Sequence, residues 1–452
     1  MKKAIITVLM LFILFTAFSQ DSLKYKLRLS ATLFAYPETS DLPYHIPSMQ
    51  QSIDFGNDFY DLSFWGIDAL GNYLFERKGS NIRHGDRILN GVFQYVAGAA
   101  FSKFGSELPI PLGIWAHEEF HRSVLGVNGI HAENGNWFLS RWDGTVYGVT
   151  DAQLATLKEN NLPGLLYAYT SGIQSEAIFT AENVSRDVFY DRSFYKNAFY
   201  LYNAYYIRNY FDFAVSSLSD SVKVIAPEYE DGDPSQRDFA GADLTAWAYD
   251  MFSPDSSYYN RDVFPDGDGV NRRIGFSDLS AEAQDYLIKQ KNLSLLNFIN
   301  PAIFCINKIK IGDNIQFNLF AEYMPTQFGN DISYHLPIKV KENNYLIALH
   351  NYNNHSNSFW GMDLGIINRK LFSDHIETSV QLHGWVQPES QDFYATKGET
   401  GGAVDLTFGY VLAGNFKPGL SVGYKSAGWL AGNPYLDQQI NFAIGLHYNL
   451  PE

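Results

Sequence analysis

A chain of 452 residues and 51.2 kDa has room for one large domain or two to three ordinary ones. Its composition, 46% hydrophobic, 18% charged and 16% aromatic, excludes disorder, collagen and coiled coil. A formal net charge of −16 argues against nucleic acid as a partner, and a single cysteine, Cys305, leaves any metal site to His, Asp or Glu.

Residues 1–20 place Lys2 and Lys3 before an apolar run from Ala4 to about Phe15, with small residues near Ser19. This is the pattern of a signal peptide for export. Beyond it no stretch of 18 uninterrupted apolar residues occurs. The best candidate, Ile88 to Phe101, is about half polar or small, so helical membrane spans are not expected. Leu23 to Tyr36 alternates Leu23, Tyr25, Leu27, Leu29, Ala31, Leu33 and Ala35 with polar residues, the period of a two-faced strand, and residues 21–38 are assigned as a first barrel strand.

From 39 to 305 the texture is mostly helical. Gly164 to Asn183 carries Leu165, Leu166, Tyr169, Ile173, Ala177 and Phe179 at spacings mostly of three and four, with Pro163 at its start. Tyr195 to Leu218 and Ser280 to Phe298 read as helix, and Ala226 to Gln236 as an exposed loop. Pro265 to Arg273 has the acids of half a calcium loop but lacks the flanking ligands, and is expected to be a solvated turn. Asp243 and Asp250 stand two helical turns apart and are assigned no chemistry.

After about residue 306 strands return: around Ile315 to Tyr323, Tyr345 to Leu349, Trp360 to Ile366, Ile376 to Leu382, Val404 to Tyr410, Leu420 to Tyr424 and Ile440 to Tyr448. Apolar and polar residues alternate in each, with aromatics near the ends. Together with the export signal this predicts an α+β protein: a mostly helical domain plus an antiparallel barrel of about eight strands, of the outer-membrane type. Closure would pair Leu23 to Tyr36 with Gln438 to Asn449, making the helical block the first inter-strand connection, placed outside the cell. His335, His350, His355, His375, His383 and His447 show no ligand spacing and are expected to be interior or surface polar residues.

One motif carries specific chemistry: His117, Glu118, Glu119, Phe120, His121. In a helix, i and i+4 share a face, so the two imidazoles converge on one ion with Glu118 beside them. Pro109 and Pro111 precede the motif, Ile114, Phe120, Val124 and Leu125 give an apolar face, and Gly126 is the expected C-cap.

These five residues match H-E-x-x-H, and the chain resembles the zincin zinc metallopeptidases through them and the helix around them. The resemblance implies that His117 and His121 hold zinc, that Glu118 polarises the attacking water, and that a third protein ligand lies downstream. The metzincin subfamily would need Gly at 124 and His at 127, where this chain has Val124 and Val127. A gluzincin-like arrangement would take its ligand from a glutamate on a later helix, for which Glu176 is the candidate. Glu176 pairing with Arg186 or Arg208 stays open, as do His131 and Glu133 as ligands. Leu125 to Ile130 also resembles the end of the site-2 protease motif helix, without that family's membrane helices. The implied function is zinc-dependent peptide-bond hydrolysis at the outer membrane, with a peptide or protein substrate, outer-membrane lipid and other outer-membrane proteins as expected partners. The opposing expectation is a non-catalytic outer-membrane component, whether scaffold, assembly factor or channel, bearing a relic or structural metal site.

Overall fold

The computed structural model describes residues 27–449 apart from 39–46, 76–83, 108–111, 136–143, 191, 193–195, 225–229, 231–232, 266, 374 and 413–415. The signal-peptide segment and most of the 226–236 loop therefore lie outside the described residues. A first strand β1 (Arg28–Tyr36) leads into helices α1 (Met49–Phe75), α2 (His84–Phe104) and α3 (Gly113–Val127), then a small hairpin of β2 (Glu133–Asn134) and β3 (Val146–Tyr147). Six further helices follow: α4 (Asp151–Asn160), α5 (Leu162–Phe189), α6 (Asn197–Ala214), α7 (Ser217–Val224), α8 (Asp243–Phe252) and α9 (Ala281–Leu293). The remaining strands are β4 (Ile309–Ile311), β5 (Ile315–Phe317), β6 (Phe320–Thr326), β7 (Gly329–Val340), β8 (Asn343–Asn353), β9 (Ser358–Ser373), β10 (Ile376–Pro388), β11 (Gly398–Tyr410), β12 (Phe416–Lys425) and β13 (Gln439–Asn449).

The α+β expectation holds. The strands form one antiparallel sheet of eleven in the order β1-β13-β12-β11-β10-β9-β8-β7-β5-β4, with β6 also paired to β7. The first strand does pair with the last, from Arg28 opposite Asn449 to Tyr36 opposite Phe442. The closed eight-stranded barrel is corrected on two counts. The stretch read as one strand from Ile315 to Tyr323 is broken into β5 and β6, and β7, interrupted in sequence by Pro337, is a full strand. The sheet is also open, because the free edge of β1 is occupied by side chains of α1. The Asp58 carboxylate accepts from the Ser30 amide at 2.8 Å, Asp54 accepts from the Thr32 amide at 3.0 Å, and Gln51 donates to the Thr32 carbonyl at 3.0 Å. Residues 51, 54 and 58 share one helix face, so a helix satisfies the edge that a closing strand would have taken.

Along the long strands the sheet is inside out. Glu322, Asp331, Ser333, His350, Thr378, Gln387 and Lys417 are buried, while Trp360, Met362, Leu364, Leu382, Leu420, Val422, Ile440 and Ile444 are exposed. The buried polar residues pair with one another: His350 contacts Asp331 at 2.7 Å and Asp363 at 3.2 Å, and Asp363 contacts His383 at 2.9 Å. Helix α5, 28 residues or about 42 Å long, lies against this polar face. Its Gln174 donates to the Pro325 carbonyl at 2.8 Å, and its last carbonyls accept from Gln316 and Lys339 at 2.7 Å. Between its second half and the sheet lies a cavity of about 410 Å³, with Glu182, Arg186, His383 and Lys417 in its wall.

The helical block has an ordinary apolar core that includes Phe120, Val124, Leu166, Ile173 and Trp247. Helix α8 is fixed within it by Asp250, which is fully buried between Lys158 at 2.9 Å and Arg261 at 2.7 Å and also accepts from the Tyr169 hydroxyl. Removing one member of such a group strands buried charge, at a cost of about 3–5 kcal/mol. Asp250→Ala is expected to lower stability by that amount, read from a denaturant midpoint. An unchanged midpoint would show that the two cations find other partners.

Candidate metal centre

Helix α3 is buried from Trp115 to Gly126. It packs on α5 and α1, and both of its imidazoles turn toward α5. The helix runs past the expected glycine cap to Val127. The left-handed turn falls instead on Gly129 at φ +78°, with the Ile130 amide bonded back to the Leu125 carbonyl at 3.0 Å. An ideal β-carbon on Gly172 of α5 would come within 2.5 Å of His117 Nε2 and closer still to His121 Nε2. Only glycine lets α5 approach the two rings so closely.

The far nitrogen of each ring is engaged. His121 Nδ1 donates to the Ala168 carbonyl at 2.5 Å, and His117 Nδ1 meets Glu176 Oε1 at 3.2 Å. A proton held on Nδ1 leaves the Nε2 lone pair free for a metal. Both Nε2 atoms face the same carboxylate oxygen, Asp243 Oδ2, at 3.5 Å. Ligand atoms of His117, His121 and Asp243 all lie within 4.8 Å of one another, the one such trio found among the described residues.

Asp243 opens α8. The turn before it uses Gly241 at φ +70°, and Phe239 of the same turn packs on the His121 ring at 5.2 Å between centroids. Glu118, Asp238, Asp243 and Tyr210 line one cavity of about 150 Å³, walled elsewhere by Gly144, Ala214 and Gly241 among others. The Tyr210 ring stacks on His117 at 5.0 Å, with its hydroxyl 3.3 Å from His117 Nε2.

The electrostatics are those of a cation site. Burial alone would depress the His117 pKa, but Glu176, Asp243 and Glu118 outweigh it and hold it well above the ordinary imidazole range. Burial opposes ionisation of Asp243, yet His121 and His117 hold its pKa below the usual carboxylate range. Burial, then Asp243 and Glu230, push Asp238 up to about 7. Crowded acids around two imidazoles are relieved by a bound cation.

The sequence-derived residues are thus distributed as follows. His117 and His121 form the centre, and Glu118 lies on its cavity. Glu176 touches the outer nitrogen of His117. Glu133 is exposed and accepts from the Tyr147 hydroxyl at 3.0 Å, and His131 is exposed. Glu119 points away, between Arg122 at 2.6 Å and Asn134 at 2.9 Å. Asp243 was given no chemistry by the sequence. Its signal is slight: an acid in the first turn of a helix, two residues after a glycine, on an element far along the chain from the motif. No family model matches this chain, and neither curated proteins nor solved structures provide a match.

Proposed function

We propose that this chain is an exported zinc-dependent peptidase of the outer membrane, with its metal held by His117, His121 and Asp243. The observation that carries the reading is the convergence of those three donors within 4.8 Å, one of which, Asp243, lines a cavity together with Glu118. Two imidazoles and a carboxylate are a zinc donor set with room for water or substrate. The likeness of His117 to His121 to the zincin motif supports peptide hydrolysis over other hydrolytic chemistry, and the gluzincin-type ligand role expected of Glu176 passes, in this proposal, to Asp243.

Zinc bound there supplies a Lewis acid that polarises a carbonyl and lowers the pKa of its water toward about 7. The chain's own residues do the rest. Glu176 and the Ala168 carbonyl fix the ring orientations from behind. Glu118 accepts a proton from the attacking water and returns it to the leaving amine. The Tyr210 hydroxyl is positioned to donate a hydrogen bond to the oxygen on which negative charge develops. The small cavity, with its glycine and alanine walls, takes one modest substrate side chain.

The outer-membrane placement is supported by the reversed sheet, whose apolar outward and polar inward alternation suits lipid on one side and water or polar protein on the other. No helix among the described residues is long and apolar enough to cross a membrane. The test of the catalytic reading is metal analysis of protein purified without chelator. About one zinc per chain is expected, with His121→Ala losing it. Wild-type protein free of transition metal, or His121→Ala retaining it fully, overturns this reading and favours the non-catalytic outer-membrane component.

A further inference from the structure

Helix α2 and the second half of α1 are inside out in the same sense as the sheet. On α2 the buried stripe is Asn90, Gln94, Gly98 and Ser102, at intervals of four, whereas Leu89, Val92, Val96 and Phe104 are 54%, 45%, 59% and 66% exposed. On α1 the first half buries Met49, Ile53, Tyr60 and Phe64 together with Asn57 and Asp61, whereas after Phe64 Gly71 is buried and Leu70, Tyr73 and Leu74 are exposed. The contact between the helices combines aromatic pairs, Phe64 with Phe101 at 5.5 Å and Phe75 with Phe93 at 5.9 Å between centroids, with a run of small and polar groups: Asn90 donates to Asn72 at 2.8 Å, Gln94 to Asp68 at 3.0 Å, and Gly71 lies directly against Asn90. A surface helix bathed in water has the opposite arrangement. Small and polar contacts with an apolar exterior are the pattern of helices packed in lipid.

We propose that the outward faces of α1 and α2 are bilayer contacts, the hairpin continuing the lipid-facing wall past the β1 edge that α1 seals. This rests on the outer-membrane reading and extends it from the strands to a pair of helices. Three observations select acyl chains as the occupant. First, the exposed stripe from Leu89 to Phe104 is about 22 Å long, close to the roughly 25 Å apolar band of outer-membrane barrels. Second, charge is segregated to its ends. No Asp, Glu, Lys, Arg or His occurs from Ile88 to Ser102, while His84, Asp86 and Arg87 stand at one end and Lys103 and Glu107 at the other. The two acids within Phe59 to Phe75 turn inward, Asp61 to Lys196 at 3.1 Å and Asp68 to Gln94. Third, the exposed stripe is apolar along its length, whereas a docking site for protein carries a polar rim and hydrogen bonds. Because polar residues line the protein side, neither helix has to be apolar all round, which is why neither reads as a free-standing span.

Single spin-labelled cysteines in a Cys305→Ser background, reconstituted in phosphatidylcholine–phosphatidylethanolamine vesicles, test this. Val92→Cys and Val96→Cys report on α2, Leu364→Cys on the sheet exterior, and Glu342→Cys on the exposed β7–β8 turn. Collision with oxygen, which dissolves in lipid, is compared with collision with a water-soluble nickel chelate. The oxygen-to-nickel ratio is expected to be high at 92, 96 and 364 and to invert at 342. Nickel access at 92 and 96 with 364 in lipid overturns the helical inference alone. Nickel access at 364 as well, or failure of the protein to enter vesicles, overturns the membrane reading with it. Dipolar broadening at 92 or 96 identifies a second copy as the occupant and overturns the lipid assignment.

Discussion

Glu118→Gln is expected to retain its zinc and to lose hydrolysis by about 10²–10⁴-fold, the range that a positioned general base contributes. The amide can still hold a water but cannot take its proton, and the exchange removes no ligand. The measurement is kcat on a peptide substrate cleaved by the wild type, alongside metal content for both proteins. A variant that keeps both metal and rate would remove Glu118 from the chemistry. The role would then pass to Asp238, which lines the same cavity and whose pKa is pushed up to about 7 by burial, Asp243 and Glu230.

Asp243→Asn and Glu176→Gln separate the two carboxylates that approach His117. Asp243 faces both Nε2 atoms at 3.5 Å, whereas Glu176 meets only Nδ1 of His117 at 3.2 Å. Losing a carboxylate that binds the ion directly removes both a donor and a charge. Losing one behind a histidine loosens the ring, at about 10–100-fold in affinity. Zinc affinity measured by chelator competition is therefore expected to fall within that range for Glu176→Gln and beyond it for Asp243→Asn. The opposite order would restore Glu176 as the third ligand.

Two of the three donors, His117 and His121, were legible from the sequence because their geometry is local. His117 and His121 lie on one turn of one helix, and helical periodicity alone puts them side by side with Glu118 adjacent. Asp243 was not legible, since its distance to them is set by how α8 packs, through the buried Asp250 group, against α4 and the core. Glu176 was found for its oddity, an acid among apolar neighbours, but whether it meets Nε2 or Nδ1 depends on the height at which α5 crosses α3. Gly172 fixes that height, and no spacing rule points to it.

For the fold, alternation of residue types by itself marked most of the long strands and their two faces, because side chains in a strand change sides every residue. It missed β7 and merged β5 with β6, and the pairing of the first strand with the last, expected from closure, occurs in a sheet that stays open. Residue patterning also placed the helices in the middle block. Only the tertiary structure decided that the sheet stays open. Closure depends on what meets the edge of β1, and Asp54, Asp58 and Gln51 meet it from a neighbouring helix, an arrangement that apolar periodicity does not encode. It likewise decided which face of α1 and α2 is exposed. A two-sided helix reads the same in sequence whether its apolar side turns toward a core or away from it, and on α2 the fully buried side is the polar one, Asn90, Gln94 and Ser102.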